Sequence, residues 1–185
     1  MVWNDRKITD WAQAGGVTPF DAACVNPASL DLRLGDLIRE PHQVWLDMTR
    51  EEMKESIALG EIDDLPKWGE AKRFDKFWLF PGEFVLCHSL EFVKIPKDCI
   101  SLLFSKSSIG RIGLEHLHAG LADSSWVGQW TFELHNVSPW PIKLEAGKRY
   151  MQMAMIQMIG EPLKGYDVTG RYNGQIGPTP ARGIS

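Results

Sequence analysis

From Phe77 onward the chain is a series of short apolar runs broken by turn residues. In FWLF-PGE-FVLCHSLEFVKI-PKD-CISLLFS the breaks fall at Pro81-Gly82 and at Pro96-Lys97-Asp98. QWTFELHNVS-PWP-IKL-EAGK-RYMQMAMIQMI continues the pattern, with breaks at Pro139 to Pro141 and at Gly147. Many short strands with closely spaced turns predict an antiparallel sandwich or barrel. Nearer the N-terminus, NPASLDLRLGDLIRE alternates: Leu30, Leu32 and Leu34 share one face, Asp31, Arg33 and Gly35 the other, which is strand periodicity. RKITDWAQA predicts a short helix, capped by Asn4 or Asp5 and stopped at Gly15-Gly16. The segment 49 to 73 opens with TREE, in which Thr49 and Glu52 form a capping-box pattern, and stays densely charged. Such mixed charge predicts a solvated helix or a surface insertion. With no repeat and no clear boundary, residues 1–165 read as a single domain carrying a charged insertion at 47–75. The tail, 166–185, is rich in Gly and Pro without an apolar period and predicts a flexible segment.

Composition narrows the chemistry. The formal net charge of -4 over 185 residues excludes a general polyelectrolyte binder, so any phosphate site must be a local basic patch. No apolar run approaches bilayer length and MVWNDRKITDW lacks a signal-peptide pattern, so a cytoplasmic location is expected. Cys24, Cys87 and Cys99 are odd in number and lack CxxC spacing, which indicates neither a disulfide framework nor a zinc knuckle.

Two features carry chemistry. In SKSSIGR, Lys106 and Arg111 bring charge, Ser107 and Ser108 bring hydroxyls, and Gly110 permits close backbone approach. A polyphosphate needs such donors, although the GxxxxGK[ST] spacing of a P-loop is missing and a polar surface loop reads the same way. In QWTFELHNV, a strand would put Trp130, Phe132 and Leu134 on one face and Gln129, Thr131, Glu133 and His135 on the other. Glu133 then either lines a pocket, where confinement raises its pKa and makes it a general base, or is an exposed strand glutamate. His116 and His118 share a strand face, but no third ligand is spaced to join them. The H-x-E and P-C-x-x-C signature of zinc deaminases does not occur.

NPASLDLRLG, PGEFVLCHSLEFVKIP, SKSSIGRIGL, AGLADSSWVGQWTFEL and RYNGQIGPTPAR stand in the order and approximate spacing of the dCTP deaminase family, the deaminating branch of the dUTPase superfamily. The chain resembles that family over nearly its whole length outside the charged segment. The resemblance implies a mostly β fold, a distorted jelly-roll or barrel of the dUTPase-like type with a short N-terminal helix and a small helical insertion. It further implies a homotrimer with active sites at subunit interfaces, dCTP as substrate, dUTP as product, and neither nucleic acid nor membrane as partner. On this resemblance Glu133 matches the catalytic glutamate, and Ser107 and Arg111 match the serine and arginine that orient water and cytosine. Lys106, Ser108, Ile109 and Gly110 fall in the triphosphate loop, with Mg²⁺ carried on the phosphates and no zinc or protein-held metal. Asp123 matches the residue that receives deoxyribose, the backbone at Ala119, Thr131 and Phe132 would read the base, and Gln152 matches a nucleotide-contacting glutamine. Tyr166, Arg171 and Gln175 match a tyrosine, a lysine and a glutamine of a closing lid.

Departures from the pattern bear on substrate and product. His118-Ala119 stands where family members carry Thr-Ala, in a stretch one residue short, and this touches base discrimination and dTTP feedback. Ala119-Gly120-Leu121 and the YNGQIGPTP tail look closer to bifunctional members, which carry dCTP on to dUMP and pyrophosphate. ADSSW replaces the commoner Ile-Asp-Pro-Gly-aromatic turn. A plain dUTPase, which needs no carboxylate at 133, and a non-catalytic nucleotide sensor are the competing readings.

Overall fold

The computed structural model describes residues 1–42, 67–117 and 119–183, so Thr49, Glu52 and His118 lie outside the described residues. Asn4 accepts a hydrogen bond from the Lys7 amide and starts helix α1 (Asp5–Trp11), which continues into a wider turn over Ala12–Gly16. Beyond it the chain is mostly strand. One sheet has the order β1 (Val17–Thr18), β7 (Phe84–Lys94), β11 (Val127–Asn136), β9 (Leu114–His116). A second has the order β10 (Leu121–Ala122), β8 (Cys99–Ser105), β13 (Arg149–Gln157), β3 (Ser29–Arg33), β2 (Val25–Asn26). Two small ribbons complete the framework: β12 (Ile142–Glu145) with β6 (Lys76–Leu79), and β4 (Leu37–Ile38) with β5 (Lys72–Arg73). The named pairs are antiparallel. Among the described residues no helix is long and apolar enough to cross a membrane.

Turn chemistry makes this meander possible. Gly82 takes φ 81° between β6 and β7, a left-handed conformation that a residue with a Cβ adopts only at a cost. One core draws on both sheets, with Leu30, Leu32 and Leu34, Phe132 and Leu134, and Met151, Met153 and Met155 all buried. The alternation in β13 places those three methionines inward and leaves Gln152 half-buried.

The structure departs from the alternation pattern at β3. Its polar face is also covered: Asp31 is 1% exposed and Arg33 is paired with the buried Glu91, Nε to Oε1 at 2.6 Å. Asp31 is satisfied by Asn26 Nδ2 at 2.9 Å, Lys106 Nζ at 2.6 Å and, farther off, Arg149 Nη1 at 3.6 Å. A buried carboxylate survives only with such partners. The described end of the charged segment is exposed and extended rather than helical: Arg73 of β5 pairs with Leu37 of β4. The helical insertion itself falls on residues outside the described ones.

Lys106 immediately precedes helix α2 (Ser107–Arg111), so the Asp31 contact fixes where that short helix begins. Asp31→Ala strands the Lys106 ammonium and is expected to lower stability by about 3 kcal/mol. A urea unfolding curve with an unchanged midpoint would contradict this account.

Candidate active site

β11 supplies the central carboxylate. Against β7 its register shifts between Gln129 and Thr131: Gln129 lies opposite Phe92, but Thr131 lies opposite His88. Three residues of β7, Ser89 to Glu91, therefore face Trp130 alone. Side chains repair the interrupted ladder. The Trp130 amide donates to Ser89 Oγ at 2.9 Å and Gln129 Nε2 donates to Leu90 O at 3.2 Å. Past this irregularity Phe132 and Leu134 enter the core, while Thr131 and Glu133 turn to the other face and line a cavity of about 410 Å³. Trp68, Phe84, Trp126, Trp130, Tyr166 and Tyr172 make its wall largely aromatic, and Ala119, Asp123 and Gln175 also border it.

Glu133 keeps 23% of its side chain exposed, yet Oε2 is sealed and makes no hydrogen bond among the described residues. Burial pushes its carboxyl up from the ordinary 4.5 to about 7, opposed only by its own backbone amide. His116 Nδ1 of β9 lies 3.1 Å from Oε2. A carboxyl that titrates near neutrality at the edge of a confined cavity can take a proton from water and return it within one cycle.

Asp123 is exposed at the start of a tight turn closed by the Trp126 amide on Asp123 O at 3.2 Å. Ser125 of that turn takes φ 67°, a conformation that glycine adopts without strain, and glycine is what the commoner Pro-Gly turn supplies there. Ser124 holds the turn in place, Oγ donating to Lys97 O at 2.5 Å and its carbonyl accepting from the Tyr166 amide at 2.8 Å. Tyr166 thus reaches the cavity at the start of helix α3 (Tyr166–Thr169).

The tail runs on across β11. Gly174 N donates to Val127 O at 2.8 Å, and Gln129 N donates to Gln175 O at 2.9 Å. Gln175 Nε2 donates to Gln129 O at 2.8 Å, Gly177 N to Gln129 Oε1 at 2.8 Å, and Thr179 N to Thr131 Oγ1 at 3.1 Å. Gly128 permits the approach, since a Cβ there would stand 2.9 Å from Gln175 O. Each bond uses at least one backbone group, and the Gln129, Thr131 and Gln175 side chains supply the rest, none of which an apolar period reports.

The residues singled out from the sequence fall into two groups. Glu133, Thr131, Asp123, Ala119, Tyr166 and Gln175 meet around the cavity. Ser107, Ser108, Gly110 and Arg111 lie exposed on α2, and Ile109 packs from the same helix against the core. The cavity lining does not include α2. Lys106 is engaged by Asp31, and Gln152 sits opposite Asp31 and Phe104 on its two neighbouring strands. Phe132 is fully buried, opposite Cys87, and Arg171 hydrogen-bonds the Gly183 carbonyl. The sequence reading put Gln129 on the face of Glu133 but missed that its side chain ties β7 and the tail together, and of the aromatic wall it singled out Tyr166 alone. These contacts depend on which distant segments meet β11, and strand parity carries no such information. Among the described residues no group of three His, Cys, Asp or Glu side chains is placed to hold a metal.

The buried carboxyl makes a testable demand on stability. Its folded pKa lies above its ordinary value, so stability is greatest below about 4.5 and falls as pH rises through about 7. Above that range the charge costs about 3 kcal/mol. Glu133→Gln is therefore expected to be more stable than the natural chain by up to about that amount near pH 8, with the difference vanishing near pH 4. Equal denaturation midpoints at both pH values would contradict the burial of the charge.

Comparison with known proteins gives the geometry its context. The model of a family described as dCTP deaminase-like matches residues 2–158. A protein of Mycolicibacterium vanbaalenii named dCTP deaminase, dUMP-forming, is 37% identical over 191 residues, covering 98% of this chain and 95% of that protein. A protein of the same name from Thermobifida fusca is 39% identical over 188 residues, covering 98% of this chain and 92% of its own. The crystal structure of 2'-deoxycytidine 5'-triphosphate deaminase from Agrobacterium tumefaciens superposes with a TM-score of 0.62 at 22% identity, over 83% of this chain and 48% of that one, which supports a shared fold.

Proposed function

The chain belongs to the dCTP deaminase-like family, and we propose that it deaminates dCTP and hydrolyses the product onward to dUMP and pyrophosphate. The observation that carries the first half is Glu133, a half-sealed carboxyl with a pKa of about 7 facing an aromatic cavity. The likeness in name and sequence of the dUMP-forming relatives supports the second half.

In this reading Glu133 takes a proton from water as its oxygen adds to C4 of cytosine, and passes that proton to N3. The hydroxyl proton of the adduct then travels through the same carboxyl to the amino group, which leaves as ammonia while the C4 carbonyl forms. Aromatic walls exclude bulk water, and Asp123 stands on the cavity rim to receive the sugar. The dUTP so formed gains a second water at the phosphate, yielding dUMP and pyrophosphate. Mg²⁺ carried on the triphosphate would offset its charge.

Ser107 and Arg111 are not part of the cavity of their own chain, which supports a homotrimer in which a neighbouring copy presents α2 to the cavity. There Arg111 would steady the carboxylate, and the serine hydroxyls would bind phosphate.

Following dCTP, dUTP and dUMP together with Mg²⁺ present is expected to show dUMP accumulating with little free dUTP. Accumulating dUTP would restrict the activity to deamination, dUMP from dUTP but not from dCTP would make it a dUTPase, and unchanged nucleotides would make it a sensor. Glu133→Gln is expected to bind dCTP and release about a thousandfold less ammonia. Mixing inactive Glu133→Gln with inactive Arg111→Ala subunits should restore part of the activity if cavities are shared between copies; no recovery on subunit exchange would contradict sharing.

A further inference from the structure

His116 is a residue for which the reaction above has no role. It is 5% exposed, lies on β9 opposite Leu134, and meets the Phe132 ring edge-on at 6.1 Å between centroids. Its Nδ1 stands 3.1 Å from Glu133 Oε2, the oxygen that is sealed from solvent; the two atoms are within hydrogen-bonding distance but the ring is not aligned for the bond. The two side chains also divide space. Glu133 borders the aromatic cavity, whereas His116 borders a second cavity of about 340 Å³ on the side of Gly110 and Gly113.

We propose that His116 is a positioning residue for the base: with its proton on Nδ1 and its ring turned into line with the carboxylate it donates to Oε2, fixing the carboxylate's rotation so that the other oxygen faces the reacting water. The assignment deepens the deaminase reading and rests on it for the reaction, but not for the pairing itself. A carboxylate free to rotate would divide its time between the cavity and the sealed side. Held by one oxygen, it presents the other continuously. The imidazole keeps its proton throughout, and every proton that moves in the reaction moves through the second oxygen. Donation to Oε2 also favours the ionised base against the desolvation that opposes it.

Other titratable groups surround Glu133 without supplying this contact. On β7, Leu86 lies directly opposite it, flanked by the buried Cys87, with His88 opposite Thr131. Glu115 and His135 face each other one register position along. Asp123, Tyr166 and Tyr172 border the cavity in front.

The test compares the natural chain with His116→Phe, which keeps a ring beside Phe132 but removes the donor, and His116→Asn, whose amide reaches near the Nδ1 position. Two measurements are made: kcat against pH for ammonia release from dCTP with Mg²⁺, and infrared titration of the Glu133 carboxyl without nucleotide, identified by its absence in Glu133→Gln. The Phe variant is expected to move both the acidic limb and the carboxyl midpoint up by about one pH unit, with kcat near neutrality down about tenfold and KM for dCTP little changed. The Asn variant should stay within about threefold of the natural kcat, with its midpoint near the natural one. A carboxyl midpoint unmoved in the Phe variant, or moved equally in both, overturns the proposal. Thermal unfolding checks that each variant folds; if the Phe variant does not, His116→Gln, whose amide overreaches Nδ1, is expected to show the same upward shift, and its absence overturns the proposal equally. If the natural chain releases no ammonia, the deaminase reading fails while the carboxyl titration still decides the pairing.

Discussion

The carboxylate of Glu133 loses water on one side when β11 packs against β7 and β9, and burial rather than a neighbouring charge sets its affinity for protons. This loss of solvation must be borne by the fold. The long β7–β11 pairing and a core containing Phe132 and Leu134 on either side of Glu133 provide the rigidity to hold it. The same strand faces the core with alternate residues and the cavity with the others, so the base cannot drift without disturbing packing on its far side. A loop would have held the group more cheaply and less accurately.

A similar economy governs the polar interior of β3. Asp31 and Arg33 are each answered by partners from elsewhere in the chain, and one partner of Asp31 is the lysine that opens α2. That contact anchors the start of the segment that bears the serines and Arg111. It is not legible in residue type: an ammonium seeks a desolvated carboxylate, and the sequence does not say which one the fold brings near.

Much of the architecture is legible from turns and alternation. Gly82 and Gly147 end strands where their neighbours predict, and Leu30, Leu32 and Leu34 do enter the core. Strand parity correctly separates Glu133 from Phe132 and Leu134. It cannot reveal the interrupted ladder at Trp130, since that depends on which β7 residues lie opposite, a non-local fact. Nor can parity show that the second face of β3 is covered. The tail is illegible for another reason: its attachments pair backbone groups, which every sequence possesses, with a few polar side chains whose partners lie some 46 to 48 residues away. The split between the cavity group and α2 is likewise invisible in a linear string, where Arg111 and Asp123 stand close together.

The tail's attachment to β11 has a kinetic corollary. Gln129 and Thr131 each hold a tail residue, and both lie on the strand that carries Glu133, so one strand supports the carboxyl and the tail together. Freeing the tail from β11 requires the rupture of these hydrogen bonds and the exposure of Gln175, Gly177 and Pro178, which are buried. Such a zipper comes apart one bond at a time from its free end, and its dwell time depends on the number of bonds in series. Each bond deleted from Gly174 to Thr179 would weaken the attachment by one increment, a graded dependence where a hinged domain would have a single latch.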